Sequence, residues 1–150
     1  MRDDFLKYVN EAANEFSELV SKSSKPVRII GNLDTDGITS ASIISKALMR
    51  GGIKYSLSII KQLNDEIYEA LRNEDYLITI FVDLGSSSVK RIGEVLSGDV
   101  FILDHHPPDI NDKKFGNVRQ INPHVFGIDG SKDIAAAGVT YLFAKALDEA

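Results

Sequence analysis

Residues 100–108 read Val-Phe-Ile-Leu-Asp-His-His-Pro-Pro, and this segment decides the fold. Its first four residues are apolar, include β-branched and aromatic side chains and lack a helical period, which predicts a buried strand. Pro107 and Pro108 cannot extend that strand inside a sheet, so the chain must turn at the histidines. Asp104, His105 and His106 therefore lie at the carboxyl end of a buried strand, which is where ligands bind in open α/β sheets.

Other segments upstream and downstream repeat the alternation of strand and helix. One strand is predicted to begin at Val27 and is followed by Asp34 and Asp36. Another begins at Tyr76 and ends at Asp83. Two more strands are predicted at 55–60 and 118–121. Helical spacing is found at 2–22, 38–48, 64–71 (capped by Asn64), 85–96 and after a cap at Ser131 or Asp133. This order predicts an α/β domain with a mostly parallel sheet of about five strands and helices on both faces.

Composition limits the kind of site that the chain can form. Hydrophobic residues make up 43% and charged residues 26%, which is ordinary for a globular domain. The absence of cysteine excludes disulfides and thiolate ligands, fits a cytoplasmic protein and leaves oxygen and imidazole as metal ligands. No apolar run of ~18 residues predicts a membrane span. The net charge of −5 argues against nucleic-acid binding by bulk electrostatics, although bound divalent cations reverse the local sign.

The acidic residues at the strand ends suggest a metal centre. In an extended chain Asp34 and Asp36 project to the same side with Cα atoms about 6.5 Å apart. That spacing suits two cations about 3.5–4 Å apart, with Asp83 bridging them and His105 supplying nitrogen. Oxygen ligands alone favour Mg²⁺ or Ca²⁺, whereas carboxylates with imidazole favour Mn²⁺ or another transition metal.

Each of these features also has a purely structural explanation. The Asp34-Thr35-Asp36-Gly37 segment is typical of a turn, Asp83 of a helix cap and Asp104 of a turn before prolines. Three acidic clusters at neighbouring strand ends would, however, repel one another without a cation, and desolvating them costs several kcal/mol. The combination therefore predicts a metal site.

Three motifs, in this order, resemble the first three motifs of the DHH phosphoesterase superfamily. They are Asn-Leu-Asp-Thr-Asp-Gly (32–37), Phe-Val-Asp-Leu-Gly (81–85) and Leu-Asp-His-His-Pro (103–107). Ile-Asn-Pro-His at 121–124 and Ala-Ala-Gly-Val-Thr at 136–140 resemble the RecJ branch, particularly archaeal RecJ-like single-strand exonucleases. Gly37 also fits RecJ better than family II pyrophosphatases. The resemblance covers residues from about 27 to 147.

The resemblance implies an N-terminal catalytic DHH domain that holds two Mn²⁺ ions, with Mg²⁺ as the other candidate. Asp34 and Asp83 would hold one ion, and Asp36, Asp83 and His105 the other. Asp104 would support the site and His106 would contact the scissile phosphate. The implied reaction is hydrolysis of single-stranded DNA or RNA by a metal-activated water, and further substrate contacts are expected from Ser86, Ser87 and Gly138.

Two departures from the family pattern leave other functions open. Asn32 stands where archaeal relatives often carry histidine and bacterial ones aspartate, so a weaker, neutral ligand is expected there. Residues 1–150 are also expected to stop before the fourth motif and the C-terminal substrate-binding domain, and to show little activity alone. The alternatives are a replication-fork scaffold that binds GINS-type proteins, and a small-molecule phosphodiesterase or pyrophosphatase.

Overall fold

The computed structural model describes residues 1–150 as a sheet flanked by helices. Its strands are β1 (Val27–Asn32), β2 (Tyr55–Ile60), β3 (Ile78–Val82), β4 (Asp99–Leu103), β5 (Lys114–Phe115) and β6 (Val118–Ile121). Its α-helices are α1 (Arg2–Ser21), α2 (Thr35–Arg50), α3 (Asp65–Arg72), α4 (Val89–Val95) and α5 (Ala136–Glu149). Short 3-10 helices cover Ser86–Ser88 and Pro123–Phe126.

The six strands form one sheet in the order β2-β1-β3-β4-β6-β5. All neighbouring pairs are parallel except β5 with β6. The predicted mostly parallel sheet is therefore confirmed, and each of the five predicted strands is present. The sequence did not reveal β5, because a two-residue strand at the sheet edge carries no periodic signal.

Helices cover both faces of the sheet, as predicted. Helices α1, α2 and α5 pack on one face, where Phe16 meets Phe101 and Phe143 with ring centroids 5.4 and 5.8 Å apart. Helices α3 and α4 cover the other face, around Phe81 and Ile102. Burial on both faces explains why the central strands are continuous apolar runs. None of the helices combines the length and apolar character needed to cross a bilayer.

The beginning of α5 differs from the sequence prediction. The helix starts at Ala136, and neither Ser131 nor Asp133 caps it. The backbone N–H groups of Ala136 and Ala137 instead donate to the two carboxylate oxygens of Asp36, at 3.0 and 2.8 Å. A carboxylate from α2 thus takes the place of a local cap, and its charge is favourable at the positive end of a helix. By contrast, the predicted Asn64 cap of α3 is confirmed.

A buried arginine joins α1 to the sheet, and its contribution to stability should depend on pH. Arg119 is 5% exposed and donates to Glu15 (Nε to Oε1, 3.1 Å) and to Asp99 (Nη1 to Oδ1, 2.6 Å). The hydrogen bond from Arg119 lowers the pKa of Glu15. Since Glu15 is partly exposed, we expect Glu15→Gln to cost about 0.5–1 kcal/mol at pH 7.

This loss should disappear in acid. A carboxyl group whose pKa is lower in the folded state contributes stability above its unfolded pKa, and the contribution is lost as the pH falls through the folded pKa. Urea unfolding at pH 7 and pH 3 measures the difference, with Glu18→Gln on the same helix as control. A deficit of equal size at both pH values would contradict the ion-pair explanation.

Candidate metal centre

Three neighbouring strands deliver polar side chains to one edge of the sheet. Strands β1, β3 and β4 are adjacent and parallel, so Asn32, Asp83 and Asp104 meet at their carboxyl ends. Strand β2 lies on one side of β1, and β3, the next strand in the chain, lies on the other side. The direction in which strands are added to the sheet therefore reverses at the gap between β1 and β3, which makes this gap a topological switch point. Ligands of open α/β sheets bind at such gaps.

The prediction that Asp34 and Asp36 lie on an extended chain is wrong, because α2 begins between them at Thr35. Asp34 is the N-cap residue, and its Oδ1 accepts the N–H of Gly37 at 2.7 Å. Asp36 belongs to the first helical turn and reaches the start of α5. A side chain at Gly37 would place its Cβ 2.0 Å from the Asn32 carbonyl oxygen, so this turn requires glycine. The two carboxylates therefore reach the site from different directions.

Asp83 is the most constrained acid of the site. Its side chain is buried and its backbone has a φ of 60°, a conformation that is uncommon outside glycine. Oδ2 accepts from the Asn32 amide at 3.3 Å, whereas Oδ1 is buried without a hydrogen-bond partner. Burial, followed by the neighbouring carboxyl groups of Asp34 and Asp36, raises the pKa of Asp83 to about 7. Strain and an unsatisfied charge together are typical of a functional position.

His105 presents a nitrogen lone pair to two carboxylates. Its Nδ1 lies 2.8 Å from the carbonyl oxygen of Gly130, which can only accept, so Nδ1 carries the proton. In the neutral ring Nε2 is then an acceptor, and it lies 3.2 Å from Asp36 Oδ2 and 3.3 Å from Asp83 Oδ1. Three acceptors that face one another repel unless a cation or a further proton lies between them. A backbone carbonyl on the second ring nitrogen is the usual arrangement for a metal-ligating histidine.

Asp104 is buried and organises the second histidine. Its Oδ1 accepts from His106 Nδ1 at 2.7 Å and from the His105 N–H at 2.8 Å, and Oδ2 accepts the Ser86 N–H at 3.1 Å. Burial disfavours its ionisation, but these hydrogen bonds, led by that from His106, lower the pKa of Asp104. The same bond raises the pKa of His106 to about 9. At neutral pH His106 is thus a partly exposed cation held by a buried anion.

Two predicted substrate contacts fall elsewhere in the structure. Ser86 is fully buried, its N–H donates to Asp104 and its Oγ accepts from Asn122 at 2.8 Å. It therefore positions residues of the site from the protein interior and has no exposed surface for a substrate contact. Its neighbour Ser87 is exposed beside His106. Gly138 lies in α5, where a Cβ would come within 2.8 Å of the Ile134 side chain, so helix packing accounts for it.

Two residues of the site were given no role from the sequence, although one of them, Asn122, belongs to the Ile-Asn-Pro-His segment at 121–124. Asn122 is buried and donates to Ser86 Oγ and to the His106 carbonyl, both at 2.8 Å. Its position before Pro123, after a strand, was the available signal. Gly130 supplies the carbonyl that fixes His105, and nothing in the surrounding loop sequence distinguishes it.

Substitution of Gly130 should weaken metal binding without removing a ligand. A Cβ at this position would lie 2.3 Å from the His105 carbonyl oxygen and 3.0 Å from His124 Nε2, so Gly130→Ala must displace the carbonyl that accepts from His105. We expect about tenfold weaker Mn²⁺ binding by calorimetry. In the metal-free chain the ¹⁵N shifts of the His105 ring should report a change of tautomer. Gly51→Ala, at an unstrained helix end, is the control; unchanged affinity in Gly130→Ala would contradict the assigned role.

Comparison with known proteins agrees with this geometry. The model of the DHH family, N-terminal domain, matches residues 26–150. The chain belongs to the DHH family. Its motif order and its relatives identify it as a RecJ-like N-terminal domain of that family.

The relatives are longer proteins. An uncharacterized protein of Methanocaldococcus jannaschii is 37% identical over 144 residues, which cover 93% of this chain and 33% of that protein. The single-stranded-DNA-specific exonuclease RecJ of Bacillus subtilis is 28% identical over 152 residues, covering 95% of this chain and 19% of the exonuclease. The chain thus spans a third or less of the length of the relatives that it matches.

Solved structures share the fold. RecJ from Thermus thermophilus in complex with Mn²⁺ has a TM-score of 0.73 at 25% identity, over 94% of this chain and 20% of that one. An exonuclease RecJ bound to manganese has a TM-score of 0.70 at 25% identity, over 94% and 37%. CDC45 from Entamoeba histolytica, at 20% identity and a TM-score of 0.69 over 94% and 30%, shows the likeness of the fold alone.

Proposed function

We propose that this chain is the metal-binding catalytic domain of a RecJ-like phosphoesterase that hydrolyses phosphodiesters of single-stranded nucleic acid. The observation that carries the proposal is the arrangement of His105 Nε2 against Asp36 Oδ2 and Asp83 Oδ1, at 3.2 and 3.3 Å. These three acceptor atoms are one imidazole nitrogen and two carboxylate oxygens, and the Asp83 oxygen is buried without a hydrogen-bond partner. Such a set of ligands fits a divalent cation such as Mn²⁺.

The residues present divide into ligands and supports. Asp36, Asp83 and His105 would hold one ion, and Asp34 with Asp83 offers a second position. A bound divalent ion lowers the pKa of a coordinated water and offsets charge that develops on phosphoryl oxygens. Asp36 is oriented by the N–H groups of Ala136 and Ala137, and His105 by Gly130. Both ligands are thus held in place before any ion binds, which limits the ordering cost of binding.

His106 would bind the scissile phosphate. Its Nδ1 donates to Asp104, which leaves Nε2–H on the exposed edge of the ring as a donor for a phosphoryl oxygen. The raised pKa keeps the ring positively charged at neutral pH, so the contact strengthens as negative charge develops on the phosphoryl group. The side-chain amide of Asn122 donates to the backbone carbonyl of His106, which fixes the position of the His106 ring relative to the acids.

The likeness to the single-stranded-DNA-specific exonuclease supports a nucleic-acid substrate, and the retained acids and histidines support chemistry over a purely scaffolding role. Mn²⁺ binding is measured by calorimetry on residues 1–150, and hydrolysis on the complete gene product. A single-stranded oligonucleotide should be cleaved faster than pyrophosphate. Equal rates, or a preference for pyrophosphate, would indicate the small-molecule activity. Absence of Mn²⁺ binding would remove the enzyme proposal and leave a scaffold, with replication proteins of the GINS type as candidate partners.

A further inference from the structure

His124 ends the Ile-Asn-Pro-His segment and has no part in the proposed function. Its ring nitrogen Nε2 is buried and has no hydrogen-bond partner, whereas its Nδ1 is not buried. Leaving a buried polar atom unpaired is unfavourable, so each such atom in a folded chain calls for a specific explanation. The surroundings of Nε2 provide one.

His124 faces the backbone of the proposed ligand His105 across Gly130. A Cβ added to the buried Gly130 would lie 3.0 Å from His124 Nε2 and 2.3 Å from the His105 carbonyl oxygen. The two atoms therefore lie close together, in the space that a side chain of Gly130 would occupy. The Gly130 carbonyl in turn accepts from the His105 ring at 2.8 Å. A change in the position of Gly130 would thus reach both the backbone and the ring of His105.

His124 and the His105 carbonyl are complementary when Nε2 carries the proton. The carbonyl follows the end of β4, and no N–H or O–H group of the chain donates to it. A neutral imidazole has one donor nitrogen and one acceptor nitrogen. With the proton on Nε2, the donor faces the unpaired carbonyl, and Nδ1, which is not buried, can accept from solvent. With the proton on Nδ1, two acceptors would face each other.

The turn that carries His124 already supports the next carbonyl along the chain. Asn122 is the N-cap residue of the 3-10 helix Pro123–Phe126, and its Oδ1 accepts from the His124 N–H at 2.9 Å. Its Nδ2 donates to the His106 carbonyl at 2.8 Å. A donor on His124 would give the carbonyl of His105 the same kind of support from the same turn.

We propose that His124 is a positioning residue for His105, with its Nε2–H donating to the His105 carbonyl either directly or through one water. The inference rests on the proposed function, because it concerns a ligand of the proposed metal centre. His124 contacts neither the ion nor the substrate. It holds the Gly130 turn against His105, so loss of the donor should raise the ordering cost of ion binding.

Three substitutions of His124 separate the role of its nitrogen from the role of its shape. Glutamine places an amide nitrogen as many bonds from the backbone as Nε2, asparagine places one as many bonds away as Nδ1, and phenylalanine keeps a ring without nitrogen. By calorimetry on residues 1–150, we expect Mn²⁺ to bind about fivefold more weakly in His124→Phe and His124→Asn, and within about twofold of the unaltered chain in His124→Gln.

Two further readouts report on positioning and do not depend on a general loss of stability. In the metal-free chain, ¹⁵N shifts should place the proton of the His124 ring on Nε2, and His124→Phe should reduce the fraction of His105 that is protonated on Nδ1. His124→Phe combined with Gly130→Ala should bind Mn²⁺ about as weakly as Gly130→Ala alone, because both changes act through the Gly130 carbonyl.

Phe126→Leu is the control for stability. Phe126 lies on the same 3-10 helix, and its ring packs against Phe5 and Tyr8 with centroids 5.5 Å apart in both pairs. Its replacement should lower the resistance to urea without changing Mn²⁺ affinity. Mn²⁺ affinity that falls in parallel with stability in both Phe126→Leu and His124→Phe would overturn the inference.

The remaining outcomes are distinguishable. Unchanged Mn²⁺ affinity in His124→Phe, equal weakening in His124→Gln, or a His124 ring with its proton on Nδ1 would each overturn the inference. If the unaltered chain does not bind Mn²⁺, the proposed function fails. The ¹⁵N shifts of His124 and His105 in the metal-free chain then still decide whether His124 positions His105.

Discussion

Replacement of Asp83 by asparagine is expected to weaken Mn²⁺ binding by about 100-fold or more and, at the same time, to stabilise the metal-free chain at pH 8. In the proposed centre Asp83 would contribute to both ion positions, so a neutral amide would remove the shared charge. The same charge is unfavourable in the metal-free chain, because Asp83 is buried beside Asp34 and Asp36 and its Oδ1 has no hydrogen-bond partner. Asparagine keeps the shape of the side chain and tolerates a φ of 60°.

The pH dependence of this effect has a definite sign. With its pKa raised to about 7, Asp83 in the folded chain keeps a proton that the unfolded chain releases near pH 4. The free energy of unfolding therefore falls between about pH 4 and pH 7 on account of this group. Asp83→Asn removes that loss, so we expect a gain of about 1–3 kcal/mol at pH 8 and a much smaller difference at pH 5.

Urea unfolding of the metal-free proteins at both pH values measures this gain, and calorimetry measures Mn²⁺ binding. Asp99→Asn is a useful contrast, because Asp99 accepts from Arg119 at 2.6 Å and its neutralisation should destabilise the chain at pH 8. A loss of stability in Asp83→Asn at pH 8 would show that this carboxylate is well accommodated without a cation. The case for a metal centre at this edge would then lose its main energetic support.

The fold was predictable because its signals are local. The central strands are short apolar runs that end at aspartates or prolines, and the helices between them show a regular period. The carboxyl ends of parallel neighbours then meet at one edge, which brings Asp83, Asp104 and His105 together. The two-residue strand β5 and the exact start of α2 lacked such a signal, and the error at α2 produced the wrong geometry for Asp34 and Asp36.

The remainder of the site depends on contacts between distant parts of the chain. Asp36 accepts from backbone groups at Ala136 and Ala137, which follow it by 100 and 101 residues. Gly130 fixes His105 through a carbonyl oxygen, a group that every residue possesses. Ser86 was expected to face the substrate, but its pairing with Asp104 and Asn122 buries it. No periodicity or spacing in the sequence encodes these pairings.

The second large effect is expected at Asn32, which occupies the space between two acids. Its Nδ2 donates to Asp34 Oδ2 at 3.2 Å and to Asp83 Oδ2 at 3.3 Å. The two N–H donors of the Asn32 amide thus partly offset the negative charge of the two carboxylates, as a cation at the second ion position would. We therefore expect one tightly bound Mn²⁺, held by Asp36, Asp83 and His105, and a second that binds weakly.

Asn32→Asp should convert this arrangement into a two-ion centre. The substitution removes the amide donors and adds a carboxylate beside Asp34 and Asp83, so calorimetry should show a second equivalent of Mn²⁺ bound at least tenfold more tightly than in the unaltered chain. Electron paramagnetic resonance should then detect two coupled ions. Without metal, the added charge should destabilise the variant at pH 8.

Asn32→Ala distinguishes the two contributions of the amide. It removes the hydrogen bonds to Asp34 and Asp83 but supplies no ligand, so the number of tightly bound ions should remain one. Two tightly bound ions in the unaltered chain would mean that the amide turns its oxygen toward the metal, as a neutral ligand can. The stoichiometry of Mn²⁺ binding therefore decides whether Asn32 substitutes for an ion or helps to hold one.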